Sequence, residues 1–432
     1  MENVTKPEYT YLEPFLIDAI IESILPEYRM SQPEPVTVNE NFIDLFINHF
    51  LEYESPTSFW KWAAYGTIGS VLRTNVWFQH GNFKIYPNTY IVFLAESAQY
   101  RKGQPIEVSR RLLNLLKYTK VFSGTASIQA ILDLLAQDVA NKQSGVPIKG
   151  GAALITADEL ASFFVADPRL IPLLTDIWSP RVGDDVYEYH LRSQNSIIIK
   201  NLCVSMLAAS NETFLRDVYD SRAVYGGLLG RTFMIKPDAA RKANSLMTEG
   251  VSYDETHLLN SLKKIKLLQG RVTVEDDAKI AYNSWYTELY DKYKTHPDKT
   301  GVIQRMHTNV IKIAIIMAAA HYSLIITKAL FEQAILEVSS LKQNYELYVM
   351  SSGKSSLADI GAKLLAMMMD SSDHAVTRTD FLTKNFGDVM AEDLDKLIET
   401  LQQSEMISVG IRPPTYILYT MTKKCLNIMS KK

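Results

Sequence analysis

One segment constrains this chain more than any other. Residues 89–95 read TYIVFLA, a continuous apolar run rich in β-branched and aromatic residues. Such a run suits a strand covered on both faces in the middle of a sheet. It passes at once into a polar turn, Glu96-Ser97-Ala98-Gln99-Tyr100-Arg101-Lys102-Gly103-Gln104, and then into a helical pattern beginning near Pro105, an early helix position where proline is tolerated. A buried strand, a polar turn with a lysine and a helix make up a phosphate-binding loop. Backbone N–H groups and the positive end of the helix dipole hold phosphates, and the lysine reaches the terminal ones.

The turn departs from the G-x-x-x-x-G-K-S/T pattern. Glu96 stands at the first glycine position and Arg101 at the second, Lys102 is in place, and Gly103 replaces the hydroxyl residue that ligates Mg²⁺. A basic turn ahead of a surface helix has the same composition, so the pattern alone leaves both readings open. Ser352-Gly353-Lys354-Ser355 also contains G-K-S, but Tyr348 sits at the first glycine position and a helical pattern precedes it, so it reads as a linker.

Around this segment the periodicity predicts helices over 42–50 and 59–71, a strand at 75–79, helices at 105–118 and 128–137, a strand at 152–156 and another within 196–209. Strands alternating with helices argue for a largely parallel sheet covered on both faces. Residues 1–40 read as an N-terminal arm, with a short amphipathic stretch at 15–25 and a Pro-containing linker at 31–41. The expected organisation is that arm, a P-loop ATPase core over 41–250, a helical lid over 251–350, and a winged-helix domain over 351–432. The last rests on a helix, helix, helix, two-strand pattern around Pro413-Pro414.

Downstream residues add to the nucleotide reading. Residues 152–159 form an apolar run ending in Asp158 and Glu159. At such a strand end the aspartate supports Mg²⁺ and the glutamate polarises the attacking water. Met206 to Ser210 is a second apolar run, and the Asn211 that follows is a candidate for holding that water. Residues 225–231, YGGLLGR, deliver Arg231 after a Gly-rich turn, suited to stabilising phosphoryl charge across a subunit boundary. Arg305, early in an apolar helix, is a candidate phosphate contact from the lid. Each has a plain alternative as a solvated strand end or surface ion pair; their order is what an ATPase of the AAA+ type requires.

Composition excludes several classes. Formal net charge is -3, so no global basic field draws nucleic acid and any such surface must be local. Two isolated cysteines, Cys203 and Cys425, cannot make a four-thiolate site and suggest a reducing compartment. The N-terminus carries acidic residues and no long apolar run, and the most apolar stretch, 310–320, is about half the length that spans a bilayer. A cytosolic, soluble protein without membrane contact is expected.

The stretch from Ser55-Pro56 through Tyr86-Pro87-Asn88 to Arg101-Lys102-Gly103 resembles a family of phage and prophage proteins described as primase- or helicase-like P-loop proteins. The similarity continues through residues 122–127, 155–160, 173–178 and 227–231 and covers roughly residues 45 to 320. The resemblance maps the loop lysine to Lys102, the acidic pair to Asp158 and Glu159, and the Gly-flanked arginine to Arg231. Many members carry G-P-S-G before R-K; here Ala95-Glu96-Ser97-Ala98 stands instead, which argues against fast hydrolysis. The resemblance implies a ring-forming ATPase, expected to be a hexamer, acting with ATP and Mg²⁺ on single-stranded DNA in mobile-element replication in the cytoplasm of a bacterial host. A separate primase or replication initiator would be its partner, because no primase-type metal centre is visible.

Ring helicases grip single strands with basic and aromatic loops. The candidates are Lys142 and Lys149, before the Asp158-Glu159 strand, and Tyr187, Tyr189, His190 and Arg192, in a possible hairpin placed as in helicases of the minichromosome-maintenance type. An ordinary edge strand explains the second set equally well. Residues 351–432 hold ten basic and ten acidic residues, so a packing or regulatory role for that module stands beside DNA binding. The leading expectation is a DNA helicase or translocase; the alternative is an ATPase-fold scaffold that lost turnover.

Overall fold

A computed structural model describes residues 41–96, 98–124, 127–138, 150–190, 196–218, 227–239, 243, 254–294, 300–345, 356–387, 389–412 and 416–429. The N-terminal arm, the segment Ser352–Ser355 and Pro413-Pro414 lie outside these. The architecture is α/β. The chain enters through α1 (Phe42–His49), capped by the Asn41 side chain, which accepts from Asp44 N at 3.1 Å. Next comes α2 (Thr57–Leu72), buried at every residue but Thr57 and Lys61. A helix apolar all round must be covered all round. One side of α2 packs on the central sheet and other sides meet helices from both ends of the sequence. Trp60, Trp62 and Phe59 are nearly or fully buried there, and Phe59 stacks on Phe93 of the central strand at 4.6 Å.

A short ribbon, β1 (Val76–His80) and β2 (Phe83–Ile85), leads to β3 (Tyr90–Leu94), all of whose residues are buried. Then follow α3 (Gly103–Leu116), β4 (Lys120–Ser123), α4 (Ile128–Ala136), β5 (Ala152–Ala157), α5 (Leu160–Ala166) and α6 (Leu170–Asp176). The antiparallel pair β6 (Tyr187–His190) and β7 (Ser196–Ile199) precedes β8 (Cys203–Ser210), α7 (Glu212–Val218) and β9 (Thr232–Ile235). The central sheet has five strands in the order β4-β5-β8-β3-β9, every pairing parallel. The apolar run at 90–94 is therefore an interior strand, as expected. The region 196–209 holds two strands rather than one, because Asn201, at a φ of 52°, breaks the extended path between them.

Helices α8 (Thr256–Lys266), α9 (Asp276–Tyr293), α10 (Val302–Ala320) and α11 (Lys328–Ser340) follow, with small strands β10 (Gly270–Arg271), β11 (Thr273–Val274) and β12 (Ile325–Ile326) among them. Their buried residues belong to the same apolar cluster as the sheet, which runs from Phe42 to Tyr345. The apolar stretch 310–320 lies within α10, and among the described residues no helix is long and apolar enough to cross a membrane.

A second, separate cluster is built from α12 (Ser356–Met369), β13 (Ala375–Thr377), α13 (Arg378–Lys384), α14 (Ala391–Gln403), β14 (Ile407–Arg412), β15 (Tyr416–Met421) and α15 (Lys423–Met429). Its sheet order is β13-β15-β14, antiparallel, around Leu364, Phe381, Leu394 and Tyr419. The three helices and two longer strands match the sequence pattern. β13 and α15 were not anticipated, because three-residue strands and terminal helices carry too few periods to read.

Candidate functional site

The strand order places the site. From β3 the chain crosses past β8 and β5 to β4; from β8 it crosses β3 to reach β9. The two connections leave neighbouring strands in opposite directions, which opens a crevice at their carboxyl ends, the usual ligand position in open parallel sheets. The turn after β3 and the residue after β8 meet there.

That turn is strained and braced from outside. Ala98 and Arg101, neither a glycine, have φ values of 62° and 46°. Each costs on the order of 1–2 kcal/mol relative to a right-handed conformation. Arg101, at the second glycine position of the phosphate-loop pattern, thus adopts a conformation that glycine takes freely. The segment just before α2 holds it. Glu54, nearly buried, pairs with Arg101 Nε at 2.7 Å, and Ser55 Oγ donates to Arg101 O at 2.9 Å and reaches Gln104 Oε1 at 3.1 Å. The Arg101 side chain is therefore engaged by Glu54, and only its backbone serves the turn. Ala98 and Gln99 are exposed, Tyr100 packs against the core, and Ser97 lies outside the described residues.

Lys102 precedes α3. Its ammonium donates to Ala95 O and lies 3.4 Å from Glu96 O, folded back over the turn. Burial pulls its pKa down, against the fields of Glu159 and Glu96. The nearest atom to a Cβ placed on Gly103 would be Asp158 Oδ1, at 3.8 Å. So the loop helix and the Asp158 strand end face each other where the phosphate-loop pattern has a hydroxyl and a carboxylate. Glu159 is held by three donors: Ser210 Oγ, Asn211 N at 3.1 Å and Ala161 N at 3.3 Å. Asn211 Nδ2 donates to Glu96 Oε2 at 2.6 Å, while its Oδ1 caps α7 by accepting from Phe214 N at 3.0 Å. Lys102, Asp158, Glu159 and Asn211 therefore converge, as the sequence order implied. Among the described residues, no three His, Cys, Asp or Glu side chains gather into a ready metal cage.

Arg231 and Arg305 sit elsewhere. Arg231 directly precedes Thr232, which pairs with Tyr90 at the start of β3, so it lies at the opposite end of the sheet from Lys102. A strand of this length spans roughly 15 Å. A Cβ on Gly227 would lie 2.7 Å from Arg231 Nη1 and 3.4 Å from Arg305 Nη2, so the two guanidinium groups adjoin. Arg231 donates to Gly227 O at 2.8 Å and lies over Trp178, 5.4 Å from its ring centre. Burial, and for Arg231 also Arg305, lowers both pKa values, and among the described residues neither guanidinium has a carboxylate partner. Arg305 was expected to reach phosphates from a lid. Its side chain instead joins Arg231, because α10 begins against the Gly227–Gly230 turn, where Asn309 donates to Gly230 O at 3.3 Å.

The hairpin candidate is corrected in part. β6 and β7 do form an antiparallel pair, but Tyr187 points inward. Burial and a hydrogen bond with Asp176 raise its pKa, and its ring lies 5.2 Å from the Arg181 guanidinium, so it is not a DNA-facing side chain. Tyr189 is half-buried against the core; Glu188 and His190 occupy the outer face. The alternation also carried the phase: Tyr187 and Tyr189 share one face and Glu188 and His190 the other, and it is the aromatic face that turns inward. Arg192, Lys142 and Lys149 lie outside the described residues.

No family model matches this chain, and no curated protein matches it. The residues that sequence reasoning missed are Glu54 and Ser55, whose roles are contacts across the fold with no local signature, and Glu96, which was read only as a missing glycine; Ser210 was legible as the polar end of its strand, but not its contact with Glu159.

Proposed function

We propose that this chain is an ATP-driven DNA helicase or translocase of mobile-element replication. In this reading the sheet is a P-loop ATPase core of the AAA+/RecA-like kind, and the C-terminal unit is a winged-helix domain. The observation that carries the proposal is the convergence of Lys102, Asp158, Glu159 and Asn211, from three separate strand ends, at the crevice beside β3. Lys102 would bind phosphate, with the backbone of residues 97–104 as cradle. Glu159, held on its α5 and β8 neighbours, would polarise the attacking water, and Asn211 would position it. A Mg²⁺ ion arriving with the nucleotide would take Asp158 as its carboxylate, keep water at the place of the missing hydroxyl, and supply charge neutralisation on the phosphates.

Arg231 and Arg305, on the far end of the sheet, would serve the nucleotide of a neighbouring copy. Such a head-to-tail contact is heterologous, and if its rotation closes it yields a ring, with a hexamer the expected size. Two adjoining guanidinium groups, without a carboxylate partner among the described residues, suit a multiply charged phosphate. Single-stranded DNA would be contacted by Lys142, Lys149 and Arg192.

The test is ATP turnover by the purified chain with and without single-stranded DNA. Lys102→Ala is expected to lose binding and turnover together. Glu159→Gln should keep binding while turnover falls about a hundredfold or more. Arg231→Ala should keep binding and lose turnover. Absence of turnover across a range of metals, in folded protein, would sink the motor and leave the second reading, a scaffold on an ATPase fold. The Glu96, Arg101 and Gly103 positions favour that second reading.

A further inference from the structure

The side chain that would receive phosphate, Lys102, and the one that would position the attacking water, Asn211, are both engaged by the turn itself. The Lys102 ammonium is taken by Ala95 O and approaches Glu96 O. The Asn211 amide is fixed at both ends, by Glu96 Oε2 at 2.6 Å and by Phe214 N at 3.0 Å. Glu96 contributes to both arrangements. We propose that Glu96 is a resident anion of this loop: its carboxylate holds Asn211 across the crevice and keeps phosphate out until it is displaced. The inference rests on the nucleotide reading above and names the residue that sets affinity within it.

Charge and attachment single out Glu96 among the nearby carboxylates. Glu159 is tied by three donors on two elements. Asp158 lies on the side of Gly103, where a phosphate-bound cation would be welcome. Glu96 is exposed, and its carboxylate is held by one hydrogen bond to a neutral amide, against three donors on Glu159. It stands at the first residue of the turn, where an incoming phosphate would meet a like charge. Swinging it out frees Asn211 and removes the repulsion in one movement. A glycine at this position, as in the phosphate-loop pattern, has neither effect. Glu96 is thus a positioning residue for Asn211 and an electrostatic gate for phosphate.

The experiment is equilibrium binding of ATP and of pyrophosphate to the full chain at fixed ionic strength, with Glu96→Gln, Glu96→Ala and Lys102→Ala. Glu96→Gln keeps an acceptor for Asn211 and removes the charge; Glu96→Ala removes both. The expected result is tightening of both ligands by about tenfold in Glu96→Gln, as for removal of one nearby like charge, and by at least as much in Glu96→Ala. KM should fall with kcat changed less, and the unfolding midpoint should stay that of the parent. A merely structural role would shift the midpoint and weaken binding instead. Lys102-dependent ATP binding by the parent that is unchanged or weaker in both Glu96 variants overturns the gate and leaves the nucleotide reading standing. No ATP or pyrophosphate binding by any folded variant overturns both.

Discussion

At the residue scale, Lys312 shows how far a side chain's neighbours override its type. It lies in the apolar α10, fully buried, and donates to Tyr86 O at 2.7 Å, Asn88 O at 2.9 Å and Asn88 Oδ1 at 2.6 Å. Asn88 in turn donates to Trp178 O and Val204 O, so one lysine ties α10 to the entrance of β3 and to β8. Burial pushes its pKa down to about 7. The unfolded value is about 10.4. Between those values the unfolded chain binds more protons than the native one, so Lys312 makes stability rise with pH across that window, by at most about 1.4 kcal/mol per pH unit. Denaturant unfolding at pH 6.5, 8 and 9.5 should show this slope in the parent chain and lose it in Lys312→Met. That variant should also be less stable by about 1–3 kcal/mol, from the carbonyls left unpaired. Gly103→Ser is the complementary test at the site. A hydroxyl placed toward Asp158 should raise the Mg²⁺ dependence of turnover, and a variant indistinguishable from the parent would count against a cation at that place.

At the element scale, the turn from β3 to α3 and the turn before β9 behave differently. The first keeps its shape with non-glycine residues because Glu54 and Ser55 hold Arg101 from outside. Ser55→Ala is expected to speed hydrogen exchange at residues 98–104 while leaving β3 protected. The second needs glycine. A Cβ on Gly230 would lie 2.6 Å from Gly301 O, a backbone atom that cannot turn aside. Gly230→Ala should push the start of α10 away and cost about 1–3 kcal/mol, read by thermal unfolding. It should also disturb Arg305, which α10 carries to Arg231. The elements themselves were largely legible: α1, α2, β3, α4 and β5 appear where periodicity and apolar runs put them. The inward turn of Tyr187 was legible as well, because Tyr187 and Tyr189 alternate with Glu188 and His190 and the polar face is the one left to water.

At the scale of the whole molecule, two buried clusters with separate membership imply two cooperative units. Calorimetry should resolve two transitions. Phe381→Ala, at a fully buried position of the smaller cluster, should move one of them by about 3–5 kcal/mol and leave ATP binding unchanged. The sequence by itself determined the α/β class, the interior strand at 90–94 and the loop lysine that follows it. It also determined the acidic strand end and the helix-then-strand pattern of the C-terminal unit. All of these are local: they follow from unbroken apolar runs, 3.6-residue and 2-residue periods and the residues that interrupt them. Only the tertiary structure decided that Glu96 closes on Asn211, that Glu54 and Ser55 brace the loop, and that Arg305 joins Arg231 at the opposite end of the sheet from Lys102. Those outcomes depend on strand order and on which helix end lands against which turn, and contacts between residues more than forty positions apart leave no period in the sequence to read.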